Sequence, residues 1–404
     1  MLYQAYQSFA DISEPVRELA ANSAHILNAW RKGDFADPLQ RMAVYYELVA
    51  LAGFTHRRPE FEINEVISGG HTIPVTEQVV YSSPFGSLLR FRKEGVRDEP
   101  RVLLIAPMSG HFATLLRGTA MTMLRDHDVY ITDWANARDV PQSKGAFTLE
   151  DFTRYVIEFI RAVGPGAHVV AVCQPTVAAL AATAILAAAK DPHQPASLTL
   201  MAGPIDTRIN PTKVNELANE KSYQWFESKM IGTVPAGLLG AGRRVYPGFL
   251  QLCAFMSMNI QRHSKSFVDL FKHRIEGEFE KANIIRAFYK EYFAIMDLPG
   301  EFYLDTIKHV FQNCALPQAM LMHEGAVVDP RAIRKTFLLT VEGERDDICA
   351  VGQTLAAQDL CSGLKPYMKS HHMQPGVGHY GVFNGQRWET QIYPVIRNHI
   401  RSSL

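Results

Sequence analysis

Cys173 stands in the run Ala171-Val172-Cys173-Gln174-Pro175, between a strand-like stretch, His168 to Val172, and a long alanine-rich stretch, Val177 to Ala189. A nucleophile on a sharp strand-to-helix turn needs small neighbours, because the backbone is bent there and the helix must pack close to the strand. The usual pattern is Gly-x-Ser-x-Gly. Here Ala171 and Pro175 hold the glycine positions and cysteine replaces serine. Alanine is still small, and proline in a first helical turn forfeits only an N–H that has no helical partner. An intracellular cysteine is more often a small buried apolar residue than a nucleophile, so Cys173 needs partners to carry chemistry.

Two candidates follow it in the chain. After a strand-like run, Phe337 to Val341, comes Glu342-Gly343-Glu344-Arg345-Asp346-Asp347, where a loop acid would lie, with Asp347 an alternative to Asp346. After the last strand-like run comes Gly376-Val377-Gly378-His379-Tyr380-Gly381, a histidine in a glycine-flanked loop. His371-His372 competes with His379 but falls inside the preceding strand. The order nucleophile, acid, histidine is that of the triads of the α/β-hydrolase fold. In such a triad His379 takes the thiol proton of Cys173, and Asp346 holds the imidazole tautomer and stabilises the imidazolium. The tetrahedral oxyanion needs two backbone donors. Expected donors are the N–H of Gln174, at the helix start, and that of Met108 in Pro107-Met108-Ser109-Gly110-His111, with Ser109 next to it. His111 reads as a loop residue near the site.

The elements that must position these residues are legible as periodicity. Val102–Ala106, Val129–Thr132, His168–Val172, Ser197–Met201, Thr336–Val341 and Ser370–Gln374 read as strands. Helical stretches lie between many of them, notably Thr148 to Val163, with Thr148 and Asp151 spaced as a capping box. Such alternation predicts a mostly parallel sheet covered by helices. Before it, Tyr3–Leu27 and Leu39–Leu51 are helical, and Gln78–Tyr81 and Leu88–Phe91 flank a turn. The expected organisation is an N-terminal helical extension over 1–75 and a core over 76–206 and 321–404, interrupted by a helical cap at 207–320.

Composition narrows the function classes. Apolar residues make up 47% and charged residues 20%, an ordinary globular balance. Lys plus Arg and Asp plus Glu number 41 each, so no surplus of positive charge points to nucleic acid. Five scattered cysteines with no C-x-x-C spacing suggest reduced thiols. His323-Glu324 lacks the second histidine of a zinc H-E-x-x-H motif, so neither metal nor cofactor is expected. No signal peptide is evident, and the longest apolar run is too short for a bilayer, which needs about 20 residues. The expected location is cytoplasmic, without a transmembrane segment.

The sequence resembles the intracellular polyhydroxybutyrate (PHB) depolymerases. Val172-Cys173-Gln174-Pro175-Thr176, Gly343-Glu344-Arg345-Asp346-Asp347-Ile348 and Gly378-His379-Tyr380-Gly381-Val382-Phe383 carry the likeness, together with Thr132-Asp133-Trp134-Ala135-Asn136-Ala137-Arg138. The resemblance implies hydrolysis of poly(3-hydroxybutyrate) at the surface of storage granules, through a Cys-Asp-His triad and a thioester acyl-enzyme. It leaves open coenzyme A in place of water as acyl acceptor. An insoluble polyester must be met at an interface, so an apolar, movable cover is expected, with Tyr246 to Met258 able to supply it or to form the insertion's own core. Other readings are a polyhydroxyalkanoate synthase-like acyltransferase, a cysteine hydrolase of small esters or lactones, and a catalytically silent granule-binding protein. Synthases usually carry glycine on both sides of the nucleophile, which Ala171 and Pro175 do not.

Overall fold

The computed structural model describes residues 2–29, 36–258 and 260–404. The side chain of Met258, one end of the expected cover, lies outside what is described. Nine strands form the main sheet: β1 (Glu65–Ser68), β2 (His71–Ser83), β3 (Gly86–Lys93), β4 (Arg101–Ile105), β5 (Asp128–Trp134), β6 (His168–Val172), β7 (Ser197–Met201), β8 (Phe337–Gly343) and β9 (Lys369–Gln374). Their order is β1-β2-β3-β5-β4-β6-β7-β8-β9. From β5 to β9 every pairing is parallel, and β1 to β3 join antiparallel at one edge. This is an α/β-hydrolase fold.

The central strands β6 and β7 are buried at every residue, as parallel strands covered by helices must be. By contrast β2, near the edge, is mostly exposed and has an irregular register between Val79 and Tyr81. Helix α3 (Leu149–Val163) begins at the capping box read from the sequence: the Thr148 side chain accepts from Asp151 N–H and Asp151 accepts from Thr148 N–H. Helix α4 (Thr176–Ala188) is buried along almost its whole length, which explains why its apolar residues show no face.

Before the sheet lie α1 (Leu2–Ala29) and α2 (Ala36–Leu51), where helical spacing predicted them. The edge hairpin starts earlier than its sequence signal, so the boundary drawn at residue 75 falls inside β2. Between β7 and β8 the chain is mainly helical, including α5 (Gly248–Met258), α6 (Ile260–Ile275) and α7 (Phe279–Tyr292). The strand rhythm does not vanish there entirely. A small sheet of Gly232–Thr233, Arg244–Tyr246 and Leu298–Pro299 staples the entry and exit of the helical part together. Strands of two or three residues show no period in a sequence.

A second apolar cluster joins α1 to this region. Tyr3 packs with Val245, Phe249, Leu252, Tyr289 and Tyr292. The large apolar residues of the expected cover therefore face inward: Tyr246, Phe249 and Leu252 are buried and Phe255 is half-buried. The own-core reading of this stretch describes it.

Candidate active site

Strand β6 ends at Val172, and Cys173 takes a left-handed backbone conformation, φ +65°. For a residue with a side chain this costs about 1–2 kcal/mol, which the surroundings must offset. They do so with hydrogen bonds on both sides. Cys173 N–H donates to the Met201 carbonyl (2.8 Å), and the Cys173 carbonyl accepts from Thr176 N–H (3.1 Å) and its hydroxyl (2.9 Å). Pro175 caps α4 at φ −63°, a value its ring already fixes. The small residue this turn needs is Gly203, beyond β7. A Cβ there would lie 1.8 Å from Thr176 Oγ1, so glycine lets the first turn of α4 press against the sheet.

Asp346 and His379 are brought together across the ends of β8 and β9. His379 Nδ1–H donates to Asp346 Oδ2 at 2.8 Å, and both side chains are buried. The other carboxylate oxygen accepts from the N–H groups of Ile348 (2.9 Å) and Cys349 (2.8 Å), which fixes its plane. Cys173 lies close enough to act on the same imidazole. Burial alone would lower the imidazole's pKa. The charge of Asp346 and Cys173, and their hydrogen bonds, reverse that and hold His379 well above the ordinary histidine value. Asp347 is exposed, whereas Asp346 is the carboxylate that bonds the imidazole. His371 and His372 lie in β9, where His371 meets the Thr340 hydroxyl at 3.0 Å.

The loop expected to supply an oxyanion donor is held from both sides. At its root, Ala106 N–H donates to Thr132 Oγ1 (2.9 Å) and Trp134 Nε1–H donates to the Ala106 carbonyl (2.7 Å). At its far end, the Gly110 carbonyl accepts from Met296 N–H (3.0 Å), and His111 bridges Ile295. Gly110 has φ +93°, and a Cβ there would meet Gln251 Cγ at 2.9 Å, so α5 lies directly over the loop. Among the described residues, no backbone carbonyl accepts from the N–H of Gln174, Met108 or Ser109. His111 is buried against Phe255 and Tyr292, and burial pushes its pKa down to about 4, leaving it neutral.

A cleft of about 1610 Å³ opens beside this arrangement, reaching His379 and Tyr380 and bounded by α1, α2, α6 and α7. A buried polar network around Asp297, not evident in the sequence, lies behind the expected oxyanion loop. Asp297, fully buried, accepts from the Tyr3 hydroxyl and from Gly248 N–H (2.8 Å) at the start of α5. Its own N–H donates to Asn136 Oδ1 (2.9 Å), and the Arg138 guanidinium donates to Gln7 of α1 (2.8 Å). The segment Thr132 to Arg138 therefore ties the expected oxyanion loop, α1 and α5 to one another. The only sequence signal for Asp297 is a lone acid within the apolar run Ala294 to Pro299.

The sequence model described as "PHB de-polymerase C-terminus" matches residues 202–403, half of the chain. The chain belongs to the PHB depolymerase family. It is a carboxylic ester hydrolase. No curated protein matches it. Among solved structures, this family member is similar to 2-hydroxy-6-oxo-6-phenylhexa-2,4-dienoate hydrolase from Rhodococcus sp. strain RHA1, with 14% identity over 81% of this chain and 99% of that one and a TM-score of 0.45. A carboxylesterase of Nitrososphaera gargenis has 12% identity over 82% and 100% and a TM-score of 0.42. A thermophilic esterase from Thermogutta terrifontis has 11% identity over 84% and 98% and a TM-score of 0.40. Among the described residues of this PHB depolymerase-family chain, no helix is long and apolar enough to cross a membrane.

Proposed function

We propose that this enzyme hydrolyses poly(3-hydroxybutyrate) of storage granules in the cytoplasm, with Cys173 as nucleophile, His379 as general base and acid, and Asp346 as the residue that orients His379. The observation that carries the reading is the buried 2.8 Å bond from His379 Nδ1 to Asp346, with Cys173 close enough to act on the same imidazole. The Cys173 thiolate, its proton already held on His379, attacks the ester carbonyl, and the N–H groups of Gln174 and Met108 receive the oxyanion. Collapse breaks the carbonyl–oxygen bond, His379 returns the proton to the leaving alcohol, and a thioester on Cys173 remains. Water, deprotonated by His379, attacks the thioester, releasing a carboxylic acid and the Cys173 thiolate.

The polyester and the granule surface rest on the family match at residues 202–403. Incubation with native amorphous granules, with and without coenzyme A, and identification of the products tests the reading. Release of 3-hydroxybutyrate units without coenzyme A is expected. A hydroxyacyl thioester formed only when coenzyme A is present would make that thiol the acyl acceptor. Polymer growth from hydroxyacyl-coenzyme A, or cleavage of small soluble esters alone, would replace the depolymerase reading.

A further inference from the structure

Helix α1 has three distinct sides. One docks on the protein through Tyr3, Ala20 and Ala24, which are buried. A second carries the acids Asp11, Glu14 and Glu18. The third is apolar and faces solvent: Phe9, Ile12, Val16, Leu19 and Ile26 are each between 52% and 72% exposed. Their intervals of three, four and seven residues place them on one stripe of a 3.6-residue helix. Exposed large apolar side chains scattered singly are ordinary, but an aligned row along one helix marks an interaction surface.

We infer that this stripe is where the enzyme lies on the polyester surface; the inference rests on the depolymerase reading above. Charge decides between occupants. A helix that pairs with a second copy through such a stripe normally flanks it with charged residues that set register and partner. Here the solvent-side flank is Ser8, Pro15 and Asn22, all exposed and uncharged. Roughly half of the helix circumference, stripe included, carries no charge, and the acids are turned away from it. A surface of this kind suits a neutral, apolar, irregular partner such as amorphous polyester. It also has the division of faces found in helices that lie flat on an apolar–water boundary. On its opposite side, through Ala21, Ala24, His25 and Asn28, α1 borders the cleft that reaches His379.

The test is the double variant Ile12→Asp/Leu19→Asp, whose sites are exposed enough to leave folding intact. Partition onto amorphous polyester particles is measured by co-sedimentation, alongside turnover of a soluble short-chain ester. Partition is expected to fall by at least about tenfold, as loss of two apolar contacts implies, with soluble-ester turnover unchanged. Ile12→Leu/Leu19→Ile should restore partition. Wild-type partition by the charged variant would overturn the inference, as would a parallel fall in soluble-ester turnover. A wild-type dimer that the variant dissolves, with polymer binding unchanged, would assign the stripe to a second copy and overturn it too. A wild-type enzyme that cleaves the soluble ester but neither binds nor cleaves polyester would sink the depolymerase reading itself, and the inference with it.

Discussion

Two aspartates are fully withdrawn from solvent, and their surroundings treat them in opposite ways. Asp346, after β8, faces the His379 imidazole and two backbone N–H groups. Asp297, where the helical insertion returns to the core, faces a tyrosine hydroxyl and one backbone N–H. The first raises its histidine partner well above the ordinary value, so that a charged pair persists in the interior. The second has mainly neutral partners, and burial pushes its own pKa up to about 6, against the restraint of its hydrogen bonds to Tyr3 and Gly248. The difference separates two uses of a buried acid. One holds a proton on its histidine neighbour, and the other gives or takes its own proton at a structural joint.

The contrast can be broken in several ways. The largest effect belongs to the proposed nucleophile: Cys173→Ala should lower soluble-ester turnover by about 10⁴-fold or more while the protein stays folded. Retained turnover would remove Cys173 from the reaction. Next, Asp346→Asn should lower kcat by about 10²- to 10⁴-fold, whereas Asp297→Asn should stay within about threefold of wild type. The same Asp346 variant should bring the His379 titration, followed by NMR of its imidazole, down toward the ordinary value. Because the folded value is raised, the stability His379 contributes is complete below about pH 6.5 and is lost as pH rises through that higher value. In the Asp346 variant this window should close.

Gly203→Ala brings a side chain against Thr176 and should destabilise the fold by about 1–3 kcal/mol in denaturant melts, with partial relief from Thr176→Ala. The smallest effect on rate, and the clearest in stability, concerns Asp297. Its folded value of about 6 lies above the ordinary carboxylate value of 3.8. Its contribution is therefore fully present below about pH 4 and is lost as pH rises through about 6, a change of about 3 kcal/mol. The stability difference between wild type and Asp297→Asn should swing by that amount against wild type between pH 4 and 7. A difference that does not vary with pH would mean that Asp297 does not titrate in this range.

The sequence made the sheet-borne half of the molecule readable because burial on both sides leaves plain signals there. β6 appears as an apolar run after His168 and β7 as a short stretch of apolar and small residues, and α3 begins at its Thr148–Asp151 cap. His379 stands between glycines after the last strand, and Asp346 follows β8. The helical half was harder to read for physical reasons. Helix α5 is apolar nearly all round, and such a segment looks the same whether it covers a site or fills a core. The three short strands that staple the insertion lack the length for alternation. Asp297 acts through Tyr3, Asn136 and Gly248, residues far from it in the chain, and no local pattern encodes such a meeting. The apolar stripe of α1 has ordinary helical spacing, and only its exposure sets it apart.

One consequence follows from the bond between Met296 N–H and the Gly110 carbonyl. The loop expected to receive the oxyanion is clamped by the last residues of the insertion, so that insertion is not a cover laid on a finished site. A single proteolytic cut within it should silence the enzyme instead of opening it.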